Sequence, residues 1–286
     1  MRPSFRFGPR TMRFALAGLA LAGVIAGPAT GAAASTAISS PSGSTQPSNH
    51  QPRPKPTIVL EHGAWADGSS WSGVVTRLQR DGYTVDVPPN PLRGVAGDSA
   101  YLASYLATIS GPIVLVGHSY GGFVVTNAAT GNPDVKALVY VDAFIPAQGE
   151  TINSINTQFP GSRLVPAALN FVPSAGGVVD AYVKPTQFGS VLGNDLSPRQ
   201  NAELAATQRP IAASALADVS GPPAWTGIRS WAVIGTDDHA IPPAAQQFMA
   251  QRAHATVTTI HASHLSLISQ PVAVESVIED AARHTG

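Results

Sequence analysis

The chain has no cysteine at all among its 286 residues. No disulfide can brace the fold and no thiolate can act as nucleophile or metal ligand, so stability must come from the core alone. A lipid anchor on an N-terminal cysteine is excluded for the same reason. Charge is also scarce: only 12% of residues are Asp, Glu, Lys or Arg, in equal numbers of acid and base. Such a balance does not make a nucleic-acid surface. Aromatic residues are few, 7%, yet 44% of the chain is hydrophobic, which excludes disorder for most of it and fits one well-buried α/β domain.

The charges that exist are unevenly placed. Arg2, Arg6, Arg10 and Arg13 precede residue 35 with no acid among them. An apolar run, Phe14 to Gly27, follows, then Pro28 and small residues ending in Ala32-Ala33-Ala34. A basic start, an apolar middle and a small-residue end make an export signal, with cleavage expected near residue 34. The run is shorter than the roughly 20 residues a membrane helix needs. The mature protein is therefore expected to be secreted, with no stable membrane association once the signal is cut. Residues 35–56 are Ser-, Thr-, Pro- and Gln-rich and read as a flexible spacer, so the folded domain is expected over 57–286.

Within that domain the most informative stretch is Gly117-His118-Ser119-Tyr120-Gly121-Gly122. The apolar run Ile113-Val114-Leu115-Val116 feeds it, and a helix-compatible segment from Tyr120 to Thr130 leaves it. Strand, sharp Gly-x-Ser-x-Gly turn and helix are the context of a nucleophile elbow, which lifts a serine hydroxyl above a sheet edge. Further strands are expected at Thr57–Glu61, Thr84–Val87, Ala137–Val141, Ser230–Ile234 and Thr256–Ile260, with helices around Ser70–Arg80, Ser99–Ile109, Pro243–Arg252 and Val272–Arg283. Near-continuous apolar strands alternating with helices predict a mostly parallel, doubly wound sheet. Its ligand site should lie at the carboxyl ends of the strands. The alternation stops between Ile145 and Ile228, a proline-rich interval too long for a plain loop. It reads as a mostly helical cap inserted after the fourth predicted strand, with its clearest helix at Pro198–Ala217.

A serine hydroxyl needs a base, and the base needs an orienting group. His261 and His264 follow the last predicted strand, where a base could reach the elbow; His264 sits deeper in the loop and is assigned the role. His261, abutting the strand, is read as structural. The acid should follow the strand Ser230–Ile234, where Asp237 and Asp238 are adjacent. Asp238 is chosen, with Asp237 as the alternative and Asp142 as a weaker candidate. Two backbone N–H groups should stabilise the oxyanion, those of Tyr120 and Ala64, with Gly63 allowing close approach and His62 pinning the loop.

His62-Gly63-Ala64-Trp65, the elbow at 117–122, Gly235-Thr236-Asp237-Asp238 and Ser263-His264 together resemble the α/β-hydrolase superfamily. More narrowly they are similar to its bacterial esterase-like branch, related to the plant methylesterase and hydroxynitrile lyase group. The resemblance covers roughly residues 57–284. It implies the α/β-hydrolase fold, no metal or organic cofactor, and acyl-enzyme chemistry on a small-molecule ester. Lyases of that group carry lysine directly after the histidine and threonine in the oxyanion loop. Leu265 and Gly63 stand at those positions here and point to an esterase. Lyase chemistry, another hydrolytic activity on the same triad and a non-catalytic binding module are the alternatives. The apolar cap residues Phe144, Phe159, Leu164, Phe171, Tyr182, Phe188 and Trp225 could line a pocket or glue the cap down. Substrate identity and oligomeric state are not readable from the sequence.

Overall fold

The computed structural model describes residues 55–285. The expected export signal, 1–34, and nearly all of the expected spacer lie outside the described residues. In chain order the first half of the main domain holds β1 (Thr57–Glu61), α1 (Ser72–Arg80), β2 (Val85–Asp86), α2 (Val95–Leu106), β3 (Ile113–His118), α3 (Gly121–Ala128) and β4 (Val135–Val141). An insertion follows, with α4 (Ile152–Gln158), β5 (Leu169–Pro173), β6 (Val179–Val183), α5 (Pro185–Val191), α6 (Pro198–Thr207) and β7 (Ile211–Ala212). The main domain resumes with β8 (Ser230–Gly235), α7 (Pro243–Arg252), β9 (Thr256–Ile260), α8 (Ser266–Ser269) and α9 (Pro271–Arg283).

Six strands form one sheet in the order β2-β1-β3-β4-β8-β9, and every neighbouring pair is parallel. All six residues of β3 are buried, so both faces of the sheet centre are covered. That is why Ile113-Val114-Leu115-Val116 is apolar at every position rather than at alternate ones. α3 packs on β1, β3 and β4 and against α2, while α9 packs on β3, β4 and β8 and against α1. The helix patterns show how. In α1 Val74 and Leu78, four residues apart, are buried, while Arg77 and Arg80 reach Glu275 of α9 at 3.6 and 3.4 Å. In α9 Val274, Ile278 and Ala281 recur at intervals of four and three residues, one face of a helix. Each fully buried Val, Leu or Ile contributes about 1.5–3 kcal/mol, which outweighs those half-exposed ion pairs.

The insertion departs from the mostly helical cap expected from sequence. It has the three helices α4, α5 and α6, but also a three-stranded antiparallel sheet, β5-β6-β7. Gly176 and Gly177, both with φ near +80° (79° and 80°), turn the chain between β5 and β6. β5 is exposed from Asn170 onward, so its sequence shows no apolar alternation to betray a strand. The helix expected to reach Ala217 stops at Thr207 because Pro210 cannot continue it: Gln208 already has an extended ψ of 139°. At its base the insertion is fastened by a two-pronged ion pair, Arg252 Nη1 and Nη2 donating to the two oxygens of Glu150 at 2.6 and 2.7 Å. Among the described residues no helix is long and apolar enough to cross a membrane.

Candidate active site

β3 ends at His118 and α3 begins at Gly121, leaving two residues for the turn. Ser119 meets that demand with φ = +54°, in the left-handed region. A non-glycine residue held there costs about 1–3 kcal/mol, and the surroundings must hold it. Gly122 and Phe144 both donate their N–H to the Ser119 carbonyl, at 2.9 and 3.3 Å. A Cβ on Gly117 would lie 2.7 Å from the Gly121 carbonyl oxygen, so only glycine lets β3 and α3 meet at this angle.

The Ser119 hydroxyl donates to His264 Nε2 at 2.8 Å, and His264 Nδ1–H donates to Asp238 Oδ2 at 2.8 Å. The carboxylate can only accept, which fixes the proton on Nδ1 and leaves Nε2 free to take one. Asp238 is itself held by the N–H groups of Ala240 and Ile241, at 2.8 and 2.9 Å, and by the Gln246 side-chain amide at 2.7 Å. All three members of the chain are nearly dry, with exposures of 5% for Ser119, 3% for Asp238 and 2% for His264. Burial opposes a charge on His264. The Asp238 carboxylate, by its charge and hydrogen bond, and then Asp142 outweigh this and hold the imidazole pKa above its ordinary value.

Asp237 turns the other way. It pairs with His261 on the surface, Oδ2 to Nδ1 at 2.9 Å, so neither of those two residues approaches Ser119. Asp142 is buried but does not bond the imidazole either. It accepts from Gly235 N–H at 2.7 Å and from the N–H and hydroxyl of Ser266, tying the loops of the acid and the base together. Burial, with the Asp238 charge nearby, pushes Asp142 up to about 7. His118 adds a further tie, its Nε2–H donating to the His264 carbonyl at 2.9 Å.

Ala64 and Tyr120 flank Ser119 in the wall of one cavity. Their N–H groups donate to no protein acceptor among the described residues, as a site for a developing negative oxygen requires. His62 pins the loop before Ala64: it donates from Nδ1 to the Gly63 carbonyl at 2.9 Å and accepts the Asn90 N–H at Nε2 at 3.0 Å. The Tyr120 hydroxyl is turned into the fold, donating to Asp98 Oδ2 at 2.7 Å.

Two cavities meet at this point. One is bounded by Ser119, Tyr120, Phe144, Ile152, Leu164 and Ile241 and is almost wholly apolar. The other is bounded by His264, His118, Phe188, Leu192, Leu204 and Gln208. Ala64 and Trp65 border both. Trp65 is held at φ = +58° and donates from its indole to the Ala181 carbonyl of β6 at 2.9 Å. Of the cap residues singled out in the sequence, Phe144, Leu164 and Phe188 line these cavities. Phe159 instead stacks on Phe248 at 5.2 Å, Trp225 donates to the Pro146 carbonyl, and Phe171 is exposed. Gln246, His118 and Leu192 were not singled out. A buried amide eight residues past the acid and a lone leucine in a loop carry no sequence signal of their own. Among the described residues no group of three or more His, Asp or Glu side chains could hold a metal ion.

The sequence matches the model of a family described as alpha/beta hydrolase over residues 58–277. It is 32% identical over 111 residues to the carbendazim hydrolyzing esterase of Nocardioides sp. strain SG-4G, a match covering 34% of this chain and 46% of that protein. It is 33% identical over 129 residues to the pyrethroid hydrolase of Sphingobium wenxiniae, covering 40% of this chain and 45% of that one. The matched stretches thus span less than half the length of either curated relative. Among solved structures, polyneuridine aldehyde esterase shares the fold with a TM-score of 0.69 at 18% identity, covering 79% of this chain and 99% of its own.

Proposed function

The chain belongs to the alpha/beta hydrolase family, and from that premise we propose that it is a serine hydrolase cleaving a small carboxylic ester. The observation that carries this reading is the continuous pair of 2.8 Å hydrogen bonds from Ser119 through His264 to Asp238. The partial matches to proteins named as an esterase and a pyrethroid hydrolase support it.

In this reading His264 Nε2 takes the Ser119 proton as Oγ attacks the acyl carbon. The carbonyl oxygen becomes an oxyanion on the N–H groups of Ala64 and Tyr120. Asp238 stabilises the imidazolium through Nδ1–H. The tetrahedral species collapses, the imidazolium gives its proton to the leaving alkoxide, and an alcohol departs from an acyl-serine. Water then gives a proton to His264 and attacks the acyl carbon; Ser119 leaves with that proton, and the carboxylic acid is released. The leaving oxygen must stand within reach of His264, so the alcohol portion belongs in the chamber that His264 borders. The acyl group then falls in the apolar chamber beside Ser119 and Tyr120. No cofactor enters the cycle. Export through residues 1–34 belongs to the same proposal, and a mature N-terminus recovered from the culture medium tests it.

The test of the activity is hydrolysis of p-nitrophenyl esters, from acetate to decanoate, by the protein and by Ser119→Ala. Turnover of short-chain esters that disappears with Ser119 is the expected result. Folded protein that turns over no ester overturns it in favour of a lyase or a binding module.

A further inference from the structure

The stretch 261–265 that carries His264 belongs to no helix or strand; the Asp237 N–H holds the Ala262 carbonyl at 3.0 Å, and side-chain contacts do the rest. One of them comes from the cap. Ser263, the residue before His264, is completely buried, and its N–H donates to Asp195 Oδ2 at 3.0 Å. Its hydroxyl donates to Asp195 Oδ1. The same hydroxyl accepts the N–H of Leu265, the residue after His264, at 3.3 Å. Asp195 therefore brackets His264 on both sides through one serine. Bonds to a carboxylate are charge-assisted and roughly twice as strong as neutral ones.

Asp195 lies between α5 and α6, in an exposed bend of the insertion. The same short segment grips the acid turn: Asn194 donates to the Asp237 carbonyl at 3.2 Å, and His239 Nδ1 donates to the Ser190 carbonyl at 3.1 Å. It also supplies Leu192 to the chamber that His264 borders, next to Phe188 of α5. The piece of cap that lines the chamber bordered by His264 is thus the piece that holds the base loop.

Resting on the reading of Ser119 and His264 as nucleophile and base, we infer that Asp195 is a positioning residue: it fixes His264 against Ser119 through Ser263, making the base dependent on a seated cap. A catalytic group displaced by about 1 Å loses up to about 100-fold in rate. Asp195 borders neither chamber and is not part of the hydrophobic core, but its removal leaves the buried Ser263 N–H and hydroxyl unpaired, so folding is followed beside the rates.

The experiment measures two rates in the full chain, Asp195→Ala and Asp195→Asn: phosphonylation of Ser119 by a fluorophosphonate, and p-nitrophenyl acetate turnover. Labelling needs only an activated serine, not a matching ester. Asp195→Ala is expected to label about 10–100-fold more slowly, with kcat falling and KM little changed. Asp195→Asn should recover most of the rate, since its oxygen accepts the Ser263 N–H and its amide donates to Ser263 Oγ. Wild-type labelling rates in Asp195→Ala, a change in KM alone, a loss matching only the unfolded fraction by circular dichroism, or failure of Asn to rescue each overturn the inference. Wild-type protein that labels but turns over no ester overturns the esterase reading, and the labelling rates still decide the role of Asp195. Wild-type protein that does not label overturns both.

Discussion

Gly63 stands against Ser119 so closely that a Cβ on it would lie 2.6 Å from the serine Cβ and 3.0 Å from the His118 carbonyl. The loop presenting the Ala64 N–H is thus laid directly over the elbow, and its distance from Ser119 is set by the missing side chain. Gly63→Ala must push the loop outward and carry with it the Ala64 N–H, the proposed oxyanion donor. Loss of such a donor costs about 10²–10³ in kcat, and steady-state kinetics on p-nitrophenyl acetate should show that drop with the fold intact.

The two adjacent aspartates should separate cleanly. Asp238 is buried against His264 and holds three further donors, whereas Asp237 pairs with His261 at the surface. Asp238→Asn presents an amide N–H or a weaker acceptor to Nδ1 and is expected to lower kcat by about 10⁴. Asp237→Asn should leave kcat essentially unchanged. Equal losses in both would assign the acid wrongly.

The pH profile follows from the raised pKa of His264. The base works only when neutral, so kcat/KM should fall as pH drops through the His264 value. Burial resists the imidazolium, but Asp238 and Asp142 favour it and win. The acid limb should therefore have its midpoint above about 6.5, the unperturbed histidine value, and fall about tenfold per pH unit below it. A midpoint at or below the unperturbed value would contradict this balance of charges.

Glu61 gives a stability prediction independent of catalysis. It is buried at the end of β1 with Oε2 lacking a partner among the described residues. Burial, and then the charge of Asp98, raise its pKa well above the usual carboxyl value. A raised folded pKa means the native state holds the proton more tightly. That contribution is complete below the unfolded carboxyl pKa and is lost as pH rises through the folded one. Glu61→Gln keeps the shape without the charge. Its unfolding midpoint should match wild type at about pH 3.5, below the unfolded carboxyl value, and exceed it at about pH 8, read by thermal melts.

The central strands were legible because a buried parallel strand needs apolar residues at nearly every position, as in β1 and β3; β9, an edge strand, was legible instead from its β-branched Thr, Val and Ile. The elbow was legible because steric crowding leaves no alternative to its glycines. The cap sheet was not, since β5 faces solvent and shows no alternation. The choice of Asp238 needed an order of chain elements, but its third donor, Gln246, is a tertiary contact with no local signature. Asp195 was invisible for the same reason: it meets Ser263 across 68 residues of chain.

β4 and β8 are parallel neighbours, so the chain enters the insertion at the carboxyl end of β4 and must cross back to the amino end of β8 after it. Exchanging it for the roof of a relative leaves all six strands of the sheet in place and redraws both chambers beside Ser119. The splice carries one obligation. If Asp195 positions His264 as proposed, a borrowed roof must offer Ser263 an acceptor in its place, or the splice gains a pocket and loses the seating of His264.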